Sequence, residues 1–268
     1  MNSSPKTLIL AGRRNAGLDP LAQQFGVSHK CLVPVLGESM VSRVLKIVDD
    51  AFPGAPIFIS IEDFSIVEGE PIVQRLVAEG RLTAVEAQEH IVDSIVTASE
   101  TTGFPMLVTT ADNVLMTPES LRTLSETAVR EQAHAWAVMA RKEDIRAAHP
   151  DGQRRFYEFR DGGFSNCNMF WIGGKAALKA TEAFRHGGQF AKKPERVIKA
   201  FGLINLIRFR LGRNSLAEIF GFISKRFRVD IRPLVLADGK VAIDVDNERT
   251  HRVAEEILSR ATPSQAGR

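Results

Sequence analysis

The residues best suited to chemistry stand near the start of the chain. Leu8, Ile9, Leu10 and Ala11 form an apolar run that ends in Gly12 and passes into Arg13 and Arg14; Lys30 follows eighteen residues beyond the glycine. Glycine lets backbone approach a ligand closely, because no Cβ stands in the way. Arginine brings a forked set of donors to phosphate oxygens, and lysine a compact, mobile charge. The grouping suits a polyphosphate, with Leu10, Ala11 and Gly12 as backbone contacts and Arg13, Arg14 and Lys30 as cations. It is neither a P-loop, which needs Lys-Ser or Lys-Thr after a second glycine, nor a G-x-G-x-x-G fingerprint. Two arginines on a polar loop also fit plain solvated surface.

Two acidic groupings complement these cations. Asp112 closely follows the apolar run Phe104–Val108 and so falls at the carboxyl end of a strand. A carboxylate there is costly unless it pairs or binds a cation, so Asp112 fits either a magnesium ligand or an Asx-turn cap. Near the C-terminus, Asp244 and Asp246 alternate with Ile243 and Val245. Read as a strand over Val241–Val245, this pattern sets the two carboxylates side by side, where their repulsion favours a shared cation. Asn247 reads as the N-cap of the last helix. Asp112, Asp244 and Asp246 can thus hold Mg²⁺ on a triphosphate that faces Arg13, Arg14 and Lys30. In-line attack at the α-phosphate of such a complex needs no protein nucleophile, and none is evident; His29 reads as a loop residue.

The elements that must position these groups follow from periodicity. Strands are expected at Thr7–Ala11, Pro56–Ile61, Met106–Thr110 and Ala135–Ala140, and helices at Met40–Val48, Pro71–Gly80 and Thr83–Glu100, the last with Thr83 and Glu86 as a capping box. Another helix begins at Thr117-Pro118-Glu119, a cap, a first-turn proline and an acid. Alternation of strand and helix predicts an α/β fold: a three-layer α/β/α sandwich around a mainly parallel, mixed sheet of Rossmann-like type. Arg155–Arg160 and Phe164–Ile172, joined through Asp161-Gly162-Gly163, read as an inserted hairpin. Asn166 and Asn168 share one face of it and suit either acceptor hydroxyls or turn roles. Strands near Val229–Leu236 and Val241–Val245 precede a final helix, Asn247–Arg260. One domain over residues 1–261 is expected, with a helical lobe over 173–228 and a flexible tail over 262–268.

Charge is uneven. The 268 residues carry a net charge of +3, yet Lys192–Arg232 alone carries +8. That basic, amphipathic stretch fits a lid, an acceptor-phosphate site, or a peripheral membrane contact through 196–228. One tyrosine and no stacking cluster argue against nucleic acid. No apolar run reaches the roughly 18 residues of a membrane span. With two cysteines in no metal or disulfide spacing and no signal-type start, a cytoplasmic protein is expected.

Taken in order along the chain, these motifs resemble the MobA-like nucleotidyltransferases of the GT-A-like group. Their pattern runs Leu-Ala-Gly-Gly-x-Gly-x-Arg, then a lysine and hydrophobic-Pro-Val-x-Gly-x-Pro-Met. Here Leu10-Ala11-Gly12-Arg13-Arg14 is followed by Lys30-Cys31-Leu32-Val33-Pro34-Val35-Leu36-Gly37-Glu38-Ser39-Met40. The family's central metal aspartate is matched by Asp112, and its late acidic motif by Asp244-Val245-Asp246-Asn247. Arg13 replaces the second glycine, Asn15–Pro20 lengthens the loop, and His29 stands for a proline. The resemblance implies Mg²⁺-dependent transfer of NMP from an NTP to an anionic small molecule, phosphorylated or phosphonate, with release of pyrophosphate. The Asp-x-Asp-Asn ending is similar to cytidylyltransferases that activate head groups, which favours CTP. The alternatives are a molybdenum-cofactor-type guanylyltransferase, a GT-A glycosyltransferase, and a non-catalytic nucleotide-sensing module.

Overall fold

The structure, a computed structural model, describes residues 4–13, 17–181 and 214–261. Arg14, most of the basic lobe (182–213) and the tail (262–268) lie outside the described residues. Ten strands are described: β1 Lys6–Leu10, β2 Pro34–Val35, β3 Glu38–Ser39, β4 Ile57–Ile61, β5 Leu82–Glu86, β6 Met106–Thr110, β7 Ala135–Arg141, β8 Tyr157–Phe159, β9 Gly162–Ile172 and β10 Ile231–Leu236. Around them stand α1 Pro20–Gln24, α2 Met40–Ala51, α3 Pro71–Ala78, α4 Ile91–Thr102, α5 Pro118–Glu131, α6 Lys142–Ala148, α7 Leu178–Thr181, α8 Leu216–Phe227 and α9 Glu248–Ala261.

Eight strands form one sheet in the order β10-β7-β9-β6-β1-β4-β5, with β8 paired to β9; β2 and β3 make a separate ribbon. β1 runs parallel to β4 and β6, β4 to β5, and β7 to β10, whereas β9 is antiparallel to β6, β7 and β8. The sheet is therefore mixed and mostly parallel, as the alternation predicts. Its inner strands are apolar on both faces, because both are covered. Ile9 packs with Val44 of α2, Leu76 of α3, Leu124 of α5 and Val253 of α9. The adjacent Leu8 faces the other way, toward Ile95 of α4 and Phe220 of α8. Two cores on opposite faces give the three-layer sandwich.

Local sequence explains most boundaries. Thr117 accepts a hydrogen bond from Ser120 N–H at 3.1 Å and Ser120 Oγ accepts one from Thr117 N–H at 3.0 Å, closing the first turn of α5 around Pro118. The inserted hairpin forms as β8 on β9. Two expectations fail. The helix expected over Thr83–Glu100 is instead β5 followed by α4; Leu82 and Val85 are buried three apart, a helix-like spacing, but their backbone pairs with β4. No strand forms over Val241–Val245 either. A short 3₁₀ turn spans Gly239–Ala242, and the following residues join no sheet. Gly239 packs so tightly on α6 that an added Cβ would fall on the Asp144 backbone. That contact holds the segment off the sheet.

Candidate functional site

The carboxyl ends of β1, β4 and β6 open into a cleft of about 370 Å³, bordered by Gly12, Arg13, Lys30, Ser60, Gln88 and Asp112. Ligands of open α/β sheets sit at such strand ends. A Cβ on Gly12 would stand 2.6 Å from Ala87 Cβ and 3.1 Å from Glu62 Oε2. The glycine is thus required by close packing of the β1 loop against the segment after β5. Gly12→Ala is expected to cost about 1–3 kcal/mol through overpacking, measured by urea unfolding; an unchanged midpoint would contradict the contact.

Arg13 is held by Glu62, the residue that follows β4. Its backbone N–H donates to Glu62 Oε2 at 3.3 Å, and its guanidinium lies 3.5 Å from Oε1 and donates to the Ser28 carbonyl at 3.2 Å. His29 does precede a 3₁₀ turn, as a loop residue would, but it is buried and lies 3.1 Å from Glu62 Oε1. Sequence reasoning passed over Glu62. The signal was present, since an acid directly after the fully buried run Ile57–Ile61 is the same cue that singled out Asp112.

Lys30 reaches across the cleft mouth. Its Nζ donates to Asp112 Oδ2 and Asp246 Oδ1, both at 2.6 Å. Burial alone would lower the pKa of this ammonium, but the two carboxylates outweigh it and hold it well above the ordinary lysine value. Asp112 is fixed from the other side by Thr110 Oγ1, which donates to Oδ1 at 2.5 Å. Asn113 donates to the Cys167 carbonyl of β9 at 2.7 Å and so ties the Asp112 loop to the inserted strand.

Asp244 and Asp246 arrive by a route the sequence pattern did not anticipate. Val245 N–H donates to the Asp112 carbonyl at 3.0 Å, pinning the acidic segment on the Asp112 loop. Asn247 caps α9 as expected, accepting from Thr250 N–H at 3.3 Å, while Thr250 Oγ1 accepts from Asp246 N–H at 2.9 Å. Oxygens of Asp112, Asp244 and Asp246 lie within 4.8 Å of one another. Such an all-oxygen set suits a hard divalent cation, and the cationic Lys30 Nζ already bridges two of its members.

Asp244 is half-buried, between the buried Asp112 and the exposed Asp246. Burial pushes its carboxyl up to about 7, and the nearby Asp246 and Asp112 push it the same way while Lys30 opposes. A carboxyl raised in the folded state keeps its proton while the unfolded chain has lost its own, so the contribution of Asp244 to metal-free stability falls as pH rises from about 4 to 7. In EDTA, Asp244→Asn should flatten that slope in urea unfolding at stepped pH. Parallel pH profiles for the two proteins would contradict the assignment.

The two asparagines stand beside this acid. Asn168 Nδ2 donates to Asp244 Oδ2 at 3.1 Å, and Asn168 N–H donates to Asn166 Oδ1 at 3.1 Å. A register shift of β9 against β7 falls between Phe170 and Asn166, where Asn168 takes a left-handed φ of 51°. Among the expected site residues, Leu10, Ala11, Gly12, Arg13, Lys30 and Asp112 border one cleft, and Asn166, Asn168 and Asp244 border an adjoining one. Leu10 and Asp246 border both.

A mostly parallel sheet with an acidic triad, Lys30 and Arg13 at its strand ends defines an α/β protein whose candidate site lies at those ends. Residues 7–204 match the model of the MobA-like NTP transferase domain, so the chain belongs to that family and is a nucleotidyltransferase. It is similar, at 26% identity, to a hypothetical transferase from Thermus thermophilus, with a TM-score of 0.74 over 92% of this chain and 99% of the other. It also shares its fold with CMP:2-keto-3-deoxy-manno-octonic acid synthetase complexed with CTP, at 12% identity and a TM-score of 0.57, over 97% of this chain and 100% of the other. No curated protein matches the sequence. Among the described residues no helix is long and apolar enough to cross a membrane.

Proposed function

We propose that the protein transfers a nucleoside monophosphate, from CTP by preference, to a phosphorylated or phosphonate small molecule in the presence of Mg²⁺. The observation that carries this reading is the convergence of Asp112, Asp244 and Asp246 on Lys30, beside the Gly12–Arg13 loop. CTP is supported by the Asp244-Val245-Asp246-Asn247 ending and by the CTP complex of the structural neighbour.

The three carboxylates would hold Mg²⁺, which when bound neutralises phosphate charge and orients the α-phosphate. Gly12 leaves room for backbone to lie against the triphosphate. Arg13 turns from Glu62, and Lys30 from the aspartates, to the β- and γ-oxygens; Arg14 supplies further charge. Asn168 orients Asp244, and Asn166 faces the acceptor. An ionised oxygen of the acceptor attacks the α-phosphorus in line. A new P–O bond forms, the α–β bridging bond breaks, and its electron pair leaves with pyrophosphate, whose charge Arg13 and Lys30 offset. A phosphomonoester is already largely ionised at pH 7, its second pKa being about 6, so no protein base is required.

Pyrophosphate release with four NTPs, Mg²⁺ and a panel of phosphorylated acids, polyols and amines tests the reading. CTP is expected to lead. Absence of release with every NTP and acceptor overturns the reading, and faster release with GTP or UTP overturns the choice of base.

A further inference from the structure

A second cavity of about 390 Å³ opens from the acidic triad onto the sheet face that carries α4 and α8. It shares Leu10, Ile91, Thr110 and Asp246 with the first cleft, so the triad stands at the junction of the two. Away from that junction its floor is Val108, Phe170 and Ala137, direct neighbours across β6, β9 and β7, and it continues to Ile172 and Ala135. Ile95 of α4 and Phe220 and Ile223 of α8 close over this floor. Ile172 pairs with Met106, four residues of strand from Thr110, so the apolar floor is about 13 Å long.

The triad end is chemically different. Asn166, Asn168, Asp244 and Asp246 meet there. Arg155, two residues before β8, borders the same cavity. Arg155 is exposed and makes no ion pair among the described residues. The cavity thus has one polar end, where Arg155 and a cation held by the triad would together receive an anion, and a long apolar remainder. A sugar phosphate would bury hydroxyls against Val108, Phe170 and Ile223 with too few partners, at a net cost. A hydrocarbon would gain from the same surface.

We propose that the acceptor is amphiphilic: the monophosphate ester of an apolar alcohol, its phosphate between Arg155, Asn166 and the triad, its chain on the Val108–Phe170–Ala137 floor. The proposal rests on the transferase reading and specifies the substrate class of that site.

The two tryptophans of the chain, Trp136 and Trp171, turn their side chains to the opposite core, so occupancy is read by isothermal titration calorimetry. The full-length protein, with Mg²⁺ and a non-hydrolysable CTP analogue, is titrated with butyl, hexyl and octyl phosphate and with glycerol phosphate. Affinity is expected to rise with each methylene, up to about fourfold for complete burial, and by at least about tenfold from butyl to octyl. Glycerol phosphate should bind more weakly than butyl phosphate. Ala137→Leu, which fills the floor, should flatten the series. A flat series in the unmodified protein, tighter binding of glycerol phosphate, or a series that stays steep in Ala137→Leu each overturns the amphiphilic acceptor. Pyrophosphate release from CTP with a hydrophilic phosphate, beside a flat series, leaves the transferase reading standing. Failure of every NTP to bind with Mg²⁺ removes that reading, and this proposal with it.

Discussion

Asp112→Ala should lower pyrophosphate release by at least about 10³-fold while leaving the fold intact. A bound metal contributes several kcal/mol of charge stabilisation at a phosphoryl centre, which corresponds to a rate factor of that order. Asp112 faces the cleft, while its loop is held independently through Asn113 to the Cys167 carbonyl and through the Asp112 carbonyl to Val245. Those bonds survive the substitution, so circular dichroism and the thermal midpoint serve as the control. Activity within about tenfold of the unmodified protein, with the fold retained, removes Asp112 from the metal site. Raised Mg²⁺ should rescue Asp112→Asn better than Asp112→Ala, because the amide keeps one oxygen ligand.

Lys30→Met is expected to act in two opposite directions. Without nucleotide it releases Asp112 and Asp246 from the ammonium that joins them, and three carboxylates are left with uncompensated repulsion. The free protein should therefore melt lower, regain stability with divalent cation, and bind Mn²⁺ more tightly than the unmodified protein by electron paramagnetic resonance. With nucleotide, loss of the charge that stabilises departing pyrophosphate should cost about 10²-fold or more in kcat/KM. Asp246 is largely exposed, so the stability change should be smaller than for a fully buried ion pair. Unchanged Mn²⁺ affinity together with unchanged kcat/KM would show that Lys30 serves neither role. Both readouts are needed, since a general loss of folding would lower them together.

The parts of this protein that sequence made legible are those where local chemistry and global fold agree. Thr7–Ala11 and Met106–Thr110 read as strands because parallel strands covered on both faces are apolar runs, and they lie side by side in the sheet. The start of α5 was explicit in Thr117-Pro118, and the cap of α9 in Asn247. The candidate site followed from two cues, a glycine ending an apolar run and an acid following one. Glu62 carries the second cue equally and was overlooked because its partners, Arg13 and His29, are distant in sequence.

The failures have a common cause. Leu82–Glu86 has the burial spacing of one helical turn, and only hydrogen bonding to β4 at the sheet edge makes it a strand. Asp244 and Asp246 look like alternate residues of a strand, and they do converge, but through the Val245 bond to the Asp112 loop and the packing of Gly239 on α6. The pattern pointed to the right carboxylates for a geometric reason the backbone does not use.

By itself the sequence determined the alternation of strands and helices, the order of the glycine loop, lysine and aspartates, and the resemblance to the MobA-like family. These are properties of local periodicity and residue type, which need no knowledge of contacts. Only the tertiary structure decided that Lys30 bridges Asp112 and Asp246, that Glu62 holds Arg13, and that an apolar cavity adjoins the triad. Each of those joins residues many positions apart. Such pairings arise where the sheet sets the ends of β1, β4 and β6 side by side, and no short stretch of chain encodes them.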